Sequence, residues 1–79
     1  MSINNNLIMK DSRNKILASN IKAERNRKDF TQFELAEKIN ISESTLSLIE
    51  RGLQTPSIFI VFDIAKVLEI DINELFRGL

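Results

Sequence analysis

The run from Thr31 to Gly52, TQFELAEKINISESTLSLIERG, constrains this chain more than any other stretch. Leu35, Ala36 and Ile39 fall on one helical face, at the spacing of a core-facing stripe. Leu46, Ile49 and Leu53 form a second stripe of the same kind, with Ile41 wedged between the two. Thr31 and Ser42 each stand where a hydroxyl can accept an otherwise unpaired backbone N–H at a helix start. Asn40 stands where the first of these helices must stop, and after Gly it is Asn that best tolerates the left-handed conformation such stops use. The spacing therefore predicts two short helices at a sharp turn, the second with a polar outer face.

The flanking sequence supplies partners for that pair. Asp11 or Ser12 can cap a first helix that reaches about Lys28. Along it Leu17, Ile21 and Arg25 are spaced by four, which places Arg25 on the inward face. Glu50 follows Leu46 by four and occupies the matching inward place. Two opposite charges aimed at one core imply an ion pair, because an isolated buried ion is too costly. Phe30 plugs the loop before Thr31. After the helix-ending Gly52, the linker LQTPS turns the chain, and Thr55 or Ser57 caps a fourth helix, with Pro56 at or just before its first turn. In that helix Val61, Ile64, Ala65 and Leu68 suffice for a core stripe. Phe59, Ile60, Phe62 and Val67 are apolar as well, and a helix apolar nearly all round needs a second surface to cover. Asp71 caps a fifth short helix containing Leu75 and Phe76. Residues 1–10 show no periodicity and read as a flexible segment ahead of a single domain over 11–79, although Leu7, Ile8 and Met9 are apolar enough to dock.

Composition narrows the chemistry. The 79 residues include no Cys and no His, which removes disulfides, thiol nucleophiles and the usual zinc ligands. That absence fits a reducing cytoplasm. No apolar run reaches the roughly 18 residues of a membrane span, and the first ten residues lack the order of a signal peptide. Net charge is zero and the pI is about 6.2, which argues against a generic polyanion binder. The charge is bipolar, however. Residues 1–30 carry seven basic side chains against three acidic, and residues 31–79 carry four basic against eight acidic. Such a chain can present one cationic face to phosphates, although ordinary solvated helix faces explain the same counts.

At the quoted run the sequence resembles a family. The pattern TQxxLAxxxxIxxSTLSxIERG, preceded by IKxxR and followed by PS and a helix with IAxxL, looks like the phage-repressor and Cro-like (Xre-type) helix-turn-helix DNA-binding family. The resemblance covers about Leu17 to Phe76. It implies an all-α, compact five-helix, lambda-repressor-like domain in which helices two and three form the helix-turn-helix. It implies that the equivalents of Arg25 and Glu50 are paired. The family's base-contacting positions fall on Glu43, Ser44 and Leu48, with Thr45 and Ser47 alongside. Chemistry gives these plausible roles: Glu43 accepting from a cytosine amino group, the hydroxyls serving either donors or acceptors, Leu48 covering a thymine methyl. The Arg-to-guanine and Gln-to-adenine forks are missing, so phosphate contacts must supply much of the affinity. Gln32, Arg51 and Gln54 are the candidates, with Lys28 and Lys38 as weaker ones. Phe33 sits beside Gln32 where an exposed polar residue is usual, with helix one and the edge of the DNA both open to it.

Two functions compete on this reading. One is a homodimeric transcriptional regulator bound to double-stranded DNA at a pseudo-palindrome, with Phe59, Ile60, Phe62, Val67 and Phe76 in the dimer seam. Small members of this kind include phage repressors, restriction–modification controller proteins and antitoxins. The other is a protein-interaction module, an antitoxin or anti-regulator partner, that uses the apolar fourth helix and binds DNA weakly. A protein antagonist is a further partner under either. An enzyme is excluded on parts, since the carboxylates have no His, Cys or Gly-rich phosphate loop beside them and the chain is too small to enclose a substrate. No cofactor, small-molecule ligand or membrane is called for.

Overall fold

The computed structural model describes residues 11–79; the expectation of a flexible segment over 1–10 lies outside the described residues. Four α-helices follow in order, α1 (Ser12–Arg27), α2 (Gln32–Lys38), α3 (Glu43–Glu50) and α4 (Ile58–Leu68), then a 3-10 helix over Ile72–Phe76. The fold class is all-α, as the pattern predicts. The expected fifth helix takes the tighter 3-10 form, which suits a segment of only five residues.

Each helix begins on a side-chain cap. Asp11, rather than Ser12, accepts the Arg13 N–H at 3.0 Å. The Arg13 guanidinium also grips that carboxylate and holds the Asp11 pKa at about 2, down from an ordinary 3.8. Thr31 and Glu34 form a reciprocal capping box at α2. Ser42 accepts from Thr45 N at 3.0 Å, and Ser57, rather than Thr55, accepts from Ile60 N at 3.2 Å.

The ends follow a shared design. At α1, α2, α3 and α4 the residues Asp29, Asn40, Gly52 and Glu69 take positive φ of 63°, 62°, 74° and 57°. Each time, the next residue donates its N–H back across the last turn: Phe30 to Arg25 O, Ile41 to Ala36 O, Leu53 to Leu48 O and Ile70 to Ala65 O. These bonds satisfy carbonyls that a helix end otherwise leaves unpaired. Phe30, Ile41 and Ile70, the residues that make them, pack back on the core. Leu53 does not. It is half-exposed, contrary to its expected place in the α3 stripe, because the reversal at Gly52 swings it off that face.

Ile21, Leu35, Leu46, Ile49, Ile64, Leu68 and Leu75 are fully buried and make the centre of the core. The inward stripe of α1 is Asn14, Ala18, Ile21 and Arg25, with Leu17 half-buried at its margin rather than in line. Arg25 and Glu50 meet as expected. The guanidinium grips the carboxylate in a two-pronged contact of 2.7 and 2.9 Å, and the Glu50 side chain is only 1% exposed. Arg25 Nη1 also donates to Phe30 O at 2.7 Å, so one side chain ties α1 to α3 and to the loop entering α2. Asn14 Nδ2 donates to Gly52 O at 3.1 Å, and Asn20 Nδ2 binds Leu75 O and Arg77 O at 2.9 and 2.8 Å. These asparagines dock the exit of α3 and the C-terminal turn onto α1.

Candidate nucleic-acid interface

The α2–α3 corner is rigid for local reasons. Asn40 supplies the left-handed residue of the turn, Ile41 fills the space under it, and the Ser42 hydroxyl starts α3 at once. Leu46 and Ile49 hold the inner face of α3 in the core, and Glu50 locks its last turn to Arg25. The outer face is thereby fixed.

On that face Glu43 and Ser44 are exposed, while Ser47 and Leu48 are half-buried. These four line one shallow concavity together with Gln32 from the start of α2 and Arg51 from the end of α3. Four of the five expected base readers and two of the expected phosphate contacts are therefore side by side. The fifth reader is placed differently. Thr45 turns its hydroxyl toward the cap, accepting from Ser42 Oγ at 2.7 Å, and does not line the concavity. Gln54 is exposed in the loop beyond Gly52, outside the concavity.

Lys28 and Lys38 are not brought to α3. They line a separate groove with Phe30, Asp63, Lys66 and Glu69, where the C-terminal ends of α1, α2 and α4 converge. Lysines at three helix C-termini are accounted for by the carbonyl dipoles they complement.

Sequence reasoning also missed what Gln32 does. Its Nε2 donates to Glu50 Oε1 at 3.0 Å, so the residue reaches from the outer concavity to the buried ion pair. The contact joins residues 18 apart in sequence, and no local pattern signals it.

The α4 surface differs from expectation in one respect. Phe59 and Phe62 are 77% and 60% exposed, and the neighbouring Ile58 is exposed too. Ile60 and Val67 lie on the opposite flank of the helix and pack partly on the molecule's own core, as does Phe76. By the advance of about 100° per residue, Phe59 projects straight outward, with Phe62 on one side of it and Ile60 and Val67 on the other, so the half-buried pair borders the exposed rings. The apolar face that remains uncovered is Ile58, Phe59 and Phe62.

Known proteins share this fold. The chain is 39% identical over 63 residues to the HTH-type transcriptional regulator SinR of Bacillus licheniformis, a match covering 78% of this chain and 57% of that one. It thus spans a little over half the length of the SinR relatives it matches. Two solved structures of SinR superpose with TM-scores of 0.71 and 0.72. The first, in complex with DNA, is 39% identical and covers 77% of this chain and 98% of that one. The second, a complex of SinR with SinI protein, is 38% identical and covers 78% and 61%. YazB of Bacillus subtilis, an uncharacterized HTH-type transcriptional regulator, is 46% identical over 55 residues, covering 70% of this chain and 80% of that one. The restriction–modification controller protein C.AhdI of Aeromonas hydrophila shares the fold at a TM-score of 0.78 and 24% identity, over 84% of this chain and 100% of that one. The helix-turn-helix family HTH_3 matches residues 21–75, from the inward stripe of α1 to the 3-10 helix, and the chain belongs to this Cro/C1-type DNA-binding family.

Proposed function

We propose that the protein is a transcriptional regulator that binds double-stranded DNA sequence-specifically as a homodimer on a pseudo-palindromic operator in the cytoplasm. The observation that carries this reading is the α3 concavity. Glu43, Ser44, Ser47 and Leu48 share it with Gln32 and Arg51, on a corner fixed by a buried ion pair. A helix of this diameter fits the major groove, and two copies related by a two-fold axis meet half-sites about 34 Å apart. Within each half-site Glu43 accepts from an exposed amino group, the Ser44 and Ser47 hydroxyls adapt to either polarity, and Leu48 covers a methyl. Arg51 and Gln54 grip the backbone beyond the end of α3. Thr45 supports the cap first and reaches a base second. The SinR structure solved with DNA supports the same use of the fold. Phe59 and Phe62 form the exposed centre of the dimer seam, with Ile58 beside them and the half-buried Ile60, Val67 and Phe76 at its edge.

In vitro selection from random duplexes, followed by gel shifts at low and moderate salt, tests the reading. Recovery of one inverted repeat, bound tightly and with a steep loss of affinity as salt rises, is the expected result. Equal binding to all duplexes, or none, sinks it.

A protein-interaction module is the second reading. The net −4 charge of residues 31–79 favours it, as does Glu43 standing where phosphates crowd. The relative SinR, solved in complex with SinI protein, supports a protein partner under either reading.

A further inference from the structure

Phe33 is an aromatic ring 56% exposed on the first turn of α2, next in sequence to Gln32. It lines a shallow depression with Ile41, Ser42 and Glu43, at the start of α3. Glu43 thus borders two surfaces, the α3 concavity on one side and the Phe33 depression on the other. None of the exposed α4 residues Ile58, Phe59 and Phe62 lines this depression. An exposed ring beside a carboxylate suits phosphate oxygens poorly. The major-groove edge does offer its complement. Thymine presents the one apolar group there, its C5 methyl, and a neighbouring cytosine or adenine presents an amino donor.

We infer that Phe33 is a specificity-determining residue that packs on a thymine methyl in each half-site, beside the amino group accepted by Glu43. The inference rests on the α3-in-groove reading and deepens it by naming the chemistry at the half-site edge. A thymine adjoining the base read by Glu43 becomes part of the preferred site. The pairing divides the labour: the carboxylate selects an amino group, and the ring selects the methyl next to it.

The test uses the duplex recovered by in vitro selection with the whole chain. Each thymine is replaced in turn by deoxyuridine, which removes the methyl and nothing else. The wild-type protein is expected to lose about fourfold in affinity per half-site at one thymine, the effect of a single methyl group. Phe33→Ala should bind the thymine duplex more weakly by a similar factor and lose nothing further at that uracil. Phe33→Leu, which keeps apolar bulk, should retain part of the discrimination. Because the ring is exposed, thermal melting should show all variants folded. The inference is overturned if no thymine is sensitive, or if Phe33→Ala keeps the wild-type uracil penalty. It is overturned equally if the variant binds as wild type, the outcome expected of a ring that docks a protein. Failure to select any duplex at all removes the regulator reading as well, and is distinguishable from these.

Discussion

At the scale of single residues, Glu50 carries the heaviest structural role in the corner. It accepts from Arg25 twice and from Gln32 once while nearly excluded from water. Replacing it leaves the guanidinium buried with only the Phe30 carbonyl to meet it, so Glu50→Ala is expected to cost about 3–5 kcal/mol. Denaturant unfolding of the two proteins measures this, and an unchanged midpoint would refute the pair's role. Arg51, one residue later, is exposed, its Nε only 3.4 Å from Ser47 O in a weak contact. Its loss should leave stability nearly untouched. On DNA, Arg51→Ala is expected to weaken specific and random duplexes alike and to flatten the salt dependence by about one unit per lost phosphate contact. A loss confined to one base pair would make Arg51 a base reader instead. The Arg25–Glu50 pair was legible in the sequence because both charges fall on helical faces that must be apolar. The Gln32 amide was not, since its partner is set by the packing of α2 on α3 and not by any repeat along the chain.

At the scale of elements, helix starts were easier to read than helix stops. Hydroxyl and carboxylate caps are chemically marked, and Thr31, Ser42 and Asp71 all serve as the spacing predicts. The stops depend on backbone shape. Asn40 and Gly52 advertise a left-handed residue and Asp29 tolerates one much as Asn does, but Glu69 adopts one with a side chain that does not favour it, because the next residue, Ile70, gains a partly buried place against the core. The two kinds of stop should respond oppositely to substitution. At Gly52 an added Cβ would meet Lys15 Cγ at 3.3 Å in a conformation that already strains an L residue. Gly52→Ala is therefore expected to cost about 1–3 kcal/mol, most of it backbone strain. Glu69→Gly removes such strain and should stabilise by up to about 1 kcal/mol, the gain being reduced by the freedom Gly recovers when unfolded. Paired thermal melts settle the signs, and a stabilising Gly52→Ala would contradict the described turn. The 3-10 form of the last element was hidden for a related reason: over five residues the apolar spacing of the two helix types is indistinguishable.

At the scale of the whole molecule, the apolar excess of α4 has two destinations, and only the fold separates them. Sequence showed that the helix has too many apolar residues for one core stripe. It could not show that Ile60 and Val67 are absorbed by the molecule's own flank while Ile58, Phe59 and Phe62 are left outside. Phe62 is the sharper place to test the consequence, since its 60% exposure means that a charge there need not disturb the monomer's core. In a dimer the same charge would be buried against an apolar partner without a counter-ion, a cost the seam cannot absorb. Phe62→Glu is expected to fold with a nearly normal helical signal, to sediment as a monomer at micromolar concentration, and to lose the dependence of its melting temperature on concentration that a dimer shows. Its DNA affinity should fall steeply, because two half-sites bound by separate chains lose the advantage of linkage, while the surviving single-site binding keeps the base preferences set by α3. Phe33→Ala, outside the proposed seam, should leave the sedimenting mass unchanged. If Phe62→Glu also leaves it unchanged, the two-fold axis lies elsewhere, and the spacing of the two recognition helices must be derived from a different face.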